Sequence, residues 1–188
     1  AAAQSNFNYN TGDLANKNVD LVKYPVDQFD ESMLTVAPDS KDIPTTIVAS
    51  EKVADTGRTL SLEGIIAMNH YYKFNGTAVK AELLIWEEGV SGALSEANVS
   101  DTKELTLYGS EYHAQSNGIP APHYGKLLYT CAKFTDAGGN VYYSTINASC
   151  PEVYARNIFA NPEATDTLKD AMEKMVVYGE HAAILFPN

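Results

Sequence analysis

A chain of 188 residues, 45% hydrophobic and 20% charged, has the composition of a globular protein, and its length suits one domain or one domain with a small appendage. Its net charge of −11, with 13 Lys and Arg against 24 Asp and Glu, argues against nucleic acid and anionic lipid as partners, because phosphate is held mainly by clustered basic side chains. No apolar stretch approaches the roughly 20 residues of a membrane helix, so no membrane insertion is expected.

Residues 1–44 are polar and turn-rich, with Pro25, Pro38 and Pro44, and read as an irregular lead-in holding one short strand near 19–22. The opening Ala1-Ala2-Ala3-Gln4-Ser5 looks like the small-residue remnant of a cleaved leader, which fits a secreted, cell-surface-associated protein. From Thr45 the texture becomes β-branched and alternating. Strands are expected over 45–53, 58–74, 78–88, 103–108, 124–134 and 141–146, forming an antiparallel β-sandwich over 45–148. The Gly- and Pro-rich stretch between Gly109 and Gly125 is expected to be a loop.

Asn75-Gly76 lies between two alternating runs and is a strong two-residue hairpin signal, because a type I′ turn needs positive φ at both positions. Pairing outward from it sets Tyr72 against Val79, His70 against Ala81, Met68 against Leu83 and Ile66 against Ile85 on an inward, mostly apolar face. The other face sets Tyr71 against Lys80, Asn69 against Glu82, Ala67 against Leu84 and Ile65 against Trp86. Trp86, the one tryptophan, should therefore point away from the sandwich core. A second hairpin is expected at 136–140.

The period then changes to helical. Ser149 is positioned to cap a first helix with Pro151 in its first turn, and Asn161-Pro162 ends it. A second helix over about 162–185 carries Leu168, Met172, Met175, Gly179, Ala182 and Phe186 on one stripe. That stripe must be buried, and the apolar end of the outward face, with Ile65, Leu84 and Trp86, is the expected dock. The fold class is thus β-rich α+β, a β-sandwich closed by C-terminal helices over 149–188.

Catalytic signatures are missing: no G-x-S-x-G, H-E-x-x-H, P-loop or G-x-G-x-x-G occurs. The adjacent acidic pairs Asp30-Glu31 and Glu87-Glu88 point to opposite faces if extended, so they do not form a glycosidase dyad. No catalytic residue, metal ligand set or cofactor is expected. His70 reads as a core histidine. Cys131 and Cys150 would pair in an oxidising compartment or remain two buried thiols in a reducing one. The aromatic Trp86 either stacks on the apolar C–H face of a sugar or packs under the helices. Tyr154, Arg156 and Tyr178 on the helices, Tyr71 and Asn69 on the outward strand face, and His123 and Tyr124 at the loop are the other candidate carbohydrate-binding residues, at the seam between sandwich and helices.

The run Leu60-Ser61-Leu62-Glu63-Gly64-Ile65-Ile66-Ala67-Met68-Asn69-His70-Tyr71-Tyr72 resembles the SLEGxIxxNFYxxL strand of a domain found in exported proteins of gut Firmicutes. The run from Leu168 to Ala183 is similar to that domain's LKDLVKAMLNYGAAAQ helix, and the similarity spans about residues 58–186. Trp86, the Gly/Pro loop and Ser149-Cys150-Pro151-Glu152-Val153-Tyr154 depart from the family pattern. Within this group the chain resembles the starch-adherence domains of ruminococcal amylosomes. That resemblance implies a sandwich with clustered helices that binds α-1,4-glucan, as polysaccharide or malto-oligosaccharide, without cleaving it. The rival reading is a structural spacer or protein-docking module of a cell-surface assembly; on either reading, other surface-complex proteins would engage the rest of the parent chain.

Overall fold

The computed structural model describes residues 29–62 and 65–186; the strand expected near 19–22 lies outside them. The described residues form an antiparallel β-sandwich followed by two helices. The strands are β1 Val53–Ser61, β2 Ala67–Phe74, β3 Ala78–Glu87, β4 Asp101–Glu104, β5 Thr106–Tyr108, β6 Glu111–Gln115, β7 Leu128–Asp136, β8 Val141–Tyr143 and β9 Asn147–Ser149, and the helices are α1 Pro151–Ala160 and α2 Asp166–Leu185. One sheet has the order β1-β2-β6-β5. The other has the order β4-β3-β7-β8, with β9 also paired to β7.

The Asn75-Gly76 hairpin is not formed. β2 pairs with β1 and β6, while β3 pairs with β4 and β7, so the two strands flanking Asn75-Gly76 belong to opposite sheets. Neither Asn75 nor Gly76 has positive φ, which a type I′ turn requires. Instead the Asn75 N–H donates to the Lys52 carbonyl at 2.8 Å, and the chain crosses between sheets. Gly76 is needed for close approach: a Cβ there would sit 2.8 Å from the Phe74 ring. That ring is stacked on Phe134 of the other sheet, centroids 4.7 Å apart and planes 7° from parallel.

The inward face follows the alternation. Tyr72 on β2, Leu83 and Ile85 on β3, and Ala132 and Phe134 on β7 fill the space between the sheets. Leu84 and Trp86 do point the other way, but into a second core. There they meet Ile43 and Leu94 from flanking loops, Cys131, Ile146, Cys150 and Val153. The loop over 90–99 and the segment over 43–49 cover this side, joined where the Thr46 N–H donates to Leu94 O and the Leu94 N–H to Pro44 O. The expected 45–53 strand therefore reduces to isolated bridges, Thr45 to Leu94 and Ala49 to Tyr143. Glu96 clamps the cover, accepting from Lys133 Nζ and the Tyr143 hydroxyl.

α1 lends Val153 to the Trp86 core, whereas the stripe of α2 packs in a separate cluster at the end of the sandwich. α1 is capped by Cys150, whose Sγ accepts the Val153 N–H, in place of the expected Ser149. α2 is capped by Thr165 and buries Met172, Met175, Val176, Gly179 and Ala182, while Phe186 is half exposed. This stripe packs with Leu34, Tyr124 and Ala155, and with Leu60 and Ile66 at the ends of β1 and β2.

Cys131 and Cys150 are free, buried thiols, not a disulfide. In the β7–β9 ladder Leu128 opposes Ser149 and Thr130 opposes Asn147, which separates the two cysteines by four positions along the strands. At the rise of a strand that is about 13 Å, beyond the ~7 Å limit for a bridge. Burial pushes each thiol up to about 11. Alkylation of the denatured chain without reductant is expected to add two alkyl groups by intact mass; no addition would contradict the register.

Trp86 is fully buried, and its indole N–H donates to Ser95 O at 3.0 Å and Asn98 Oδ1 at 3.1 Å. Trp86→Ala is expected to lower stability by about 3–5 kcal/mol, read from the urea midpoint at unchanged slope. A loss below about 1 kcal/mol would show that the indole is not a core group.

Candidate functional site

Among the described residues, none covers the outer face of the β1-β2-β6-β5 sheet: the α2 stripe docks at the sandwich end and the loop cover lies over the opposite sheet. On β2 the side chains alternate: Met68, His70 and Tyr72 point in, and Asn69, Tyr71 and Lys73 point out. The register places Asn69 between Thr59 and Gln115, and Tyr71 between Gly57 and His113. Lys73 forms an ion pair with Glu111 at 3.6 Å beside them.

These outward side chains are linked across three strands. Asn69 Nδ2 donates to Thr59 Oγ1 at 3.2 Å, and Gln115 Nε2 donates to Asn69 Oδ1 at 3.1 Å. His113 Nε2 lies 3.3 Å from the same amide oxygen, which only accepts, so His113 donates from Nε2. The Tyr71 hydroxyl is 3.4 Å from Thr59 Oγ1, and its ring lies 5.0 Å from that of His113 at 31°. On the other flank of Tyr71 is Gly57, where a Cβ would meet no atom within 4 Å. The result is a half-exposed aromatic ring with open space on one flank and a line of amide, imidazole and hydroxyl groups beside it.

The open flank comes from a β-bulge between Asp55 and Gly57. Gly57 has φ of 138°, a conformation that L side chains rarely adopt. Asp55 holds the bulge: Oδ1 accepts the Gly57 N–H at 3.1 Å, and Oδ2 takes Arg58 Nη2 at 2.5 Å and Asn147 Nδ2 at 2.8 Å. The platform is thereby tied to β9 of the other sheet.

Beneath it lies a buried polar floor. His70 is opposite Arg58, and its Nδ1 sits 3.5 Å from Thr130 Oγ1 of β7. His70 is buried as its inward position predicts, yet its Nε2, the Tyr72 hydroxyl and Arg58 Nε have no hydrogen-bond partner among the described residues. Burial, with the Arg58 charge and then His113 adding, lowers His70 to about 3.

The other candidate residues are dispersed. Trp86 is in the second core and offers no ring face to a ligand. The Arg156 guanidinium is spent on the lead-in, donating to the carbonyls of Glu31, Leu34 and Thr35. Tyr154 packs half-buried among the helices. The seam does contain a cavity of about 240 Å³ lined by Thr35, Tyr124, Lys126, Glu152 and Glu180. Its walls, however, are two carboxylates and a Tyr124 ring 6% exposed and pressed against Gly179; Tyr178 stays outside, half exposed. Glu152 is already engaged by the Thr35 N–H and hydroxyl, and burial beside Glu152 raises the Glu180 carboxyl. His123 lines a separate cleft of about 180 Å³ with Glu87, Asp101, Asn117 and Lys126.

Sequence reasoning places Asn69 and Tyr71 on this outward face but misses Thr59, Gly57 and Gln115, and leaves His113 in a loop. The alternation of Glu111-Tyr112-His113-Ala114-Gln115 was the signal for β6, lost among the surrounding Gly and Pro.

No family profile matches the chain, and no curated protein matches it. Among solved structures it is similar to the crystal structure of a Br derivative of BhCBM56, a carbohydrate-binding module, at 10% identity and a TM-score of 0.37, over 55% of this chain and 96% of that one. A likeness of that degree bears no weight for fold or ligand.

The buried His70 sets a pH dependence. The unfolded chain takes up a proton near pH 6.5 that the folded chain refuses until about pH 3, so stability falls as pH drops through that window. Comparing urea stability at pH 7 and pH 4, His70→Leu should remove about one proton's worth of this slope, ~1.4 kcal/mol per pH unit at most. Parallel profiles for the two proteins would show that His70 is not held neutral.

Proposed function

We propose that the protein is a non-catalytic carbohydrate-binding module that holds a neutral glucan on the outer face of the β1-β2-β6-β5 sheet. The observation that carries this reading is the Tyr71 ring beside the side-chain-free Gly57, with Thr59, Asn69, His113 and Gln115 aligned next to it. A pyranose ring has an apolar C–H face and a rim of hydroxyls. The tyrosine receives the face, and groups that both donate and accept receive the rim. The linkage among Thr59, Asn69, Gln115 and His113 fixes their orientation before a ligand arrives, which lowers the ordering cost of binding.

The charged pair on this face, Lys73 and Glu111, is mutually neutralised, so the face selects for uncharged ligands. Glycoside hydrolysis needs two carboxylates facing one bond, and the strands here present Glu111, already tied to Lys73. The resemblance of 60–72 and 168–183 to starch-adherence domains makes α-1,4-glucan the ligand of first choice and an extracellular, surface-bound setting the natural one. The platform replaces the seam as the proposed site, because the seam's tyrosine face is packed.

Isothermal titration with malto-oligosaccharides, soluble starch, β-glucan and xylan tests this reading. Malto-oligosaccharides are expected to bind, with Tyr71→Ala weakening them at least about tenfold, ~1.4 kcal/mol, and Tyr178→Ala at the seam leaving them unchanged. If no glycan binds, the function is wrong. If Tyr71→Ala folds and binds as before, the site is wrong.

A further inference from the structure

Tyr108 is 85% exposed, the most exposed of the large hydrophobic side chains among the described residues. It makes no hydrogen bond or ring contact there. It ends β5, immediately before the β5–β6 turn in which Gly109 has φ of 64°. In that hairpin Thr106 opposes His113 and Tyr108 opposes Glu111, so Tyr108 leaves the sheet on the same side as Glu111, His113 and Tyr71.

The two tyrosines lie on a diagonal of the platform. From Tyr71 to Tyr108 the path crosses two strand spacings and moves two residues along the strands, a separation of about 12 Å between backbones. The Lys73–Glu111 ion pair flanks this diagonal, with the Lys73 and Glu111 side chains 55% and 35% exposed. An exposed pair of this kind adds little to stability. It does present an ammonium donor two residues along β2 from Tyr71 and a carboxylate acceptor directly opposite Tyr108. One six-membered ring is too short to rest on both tyrosines, whereas a short oligosaccharide reaches from one to the other.

Resting on the carbohydrate reading above, we infer that the face binds a run of several linked sugars, with Tyr71 and Tyr108 as two separate stacking positions and Lys73 and Glu111 contacting the hydroxyls between them. Affinity then depends on chain length. A disaccharide occupies the Tyr71 position alone, and a longer chain gains the second ring.

The test is titration of maltose and maltohexaose against the wild type, Tyr108→Ala and Tyr108→Phe. The wild type should bind maltohexaose at least about tenfold more tightly than maltose. Tyr108→Ala should bind maltose as the wild type does and lose about fivefold to tenfold on maltohexaose, and Tyr108→Phe should keep most of the gain because it keeps the ring. Equal wild-type affinity for the two sugars, or a Tyr108→Ala protein that binds maltohexaose undiminished, would overturn the second position and leave the Tyr71 site standing. Failure of the wild type to bind either sugar would overturn both.

Discussion

The crossing between sheets at residues 75–77 is the constraint on which the rest of the molecule depends. Phe74 stacks on Phe134, its ring covers Gly76, and β3 is thereby sent into the sheet opposite β2. Had the two strands paired as a hairpin, their outward faces would have been continuous, and one cover would have served both. Separated, they meet different fates. The outward side of β3, with Leu84 and Trp86, is apolar and becomes a core beneath the loops. The outward side of β2, with Asn69, Tyr71 and Lys73, is polar and stays open.

The division shows how far the sequence could be read. Alternation correctly sorted 68–72 and 83–86 into faces, because the pleat fixes that sorting whatever strand lies alongside, but Ala67, expected outward, is buried and Ile66 packs with the helices. It could not name the neighbour. Asn-Gly is a local signal, and the contact that overrode it, Phe74 on Phe134, joins residues 60 positions apart. The same limit explains Trp86. Its outward direction was legible, but its cover comes from 43–49 and 90–99, segments without periodicity. The α2 stripe was legible nearly residue by residue, yet its dock was misjudged for the same reason.

At the site the sequence supplied two members of the row and concealed the others. Thr59 and Gln115 are unremarkable in isolation and acquire meaning only from the β1-β2-β6 register. Gly57 was concealed because its role is the lack of a side chain at a bulge, which no periodic pattern reports. The cysteines were ambiguous until β9 was paired with β7, since spacing along the chain says nothing about four positions of offset in a ladder.

The bulge ties the platform to the opposite sheet. Asp55 binds the bulge, Arg58 and Asn147 at once, so Gly57 and the flank of Tyr71 are held by contacts to the opposite sheet. The most direct measurement is therefore amide chemical-shift mapping by NMR during titration with maltohexaose. Shifts confined to Gly57, Thr59, Asn69, Tyr71, Lys73, Tyr108, Glu111, His113 and Gln115 and their strand neighbours are expected, with the signals of Tyr124, Glu152 and Gly179 unmoved. Shifts centred on those seam residues, with the sheet face silent, would contradict the placement of the site.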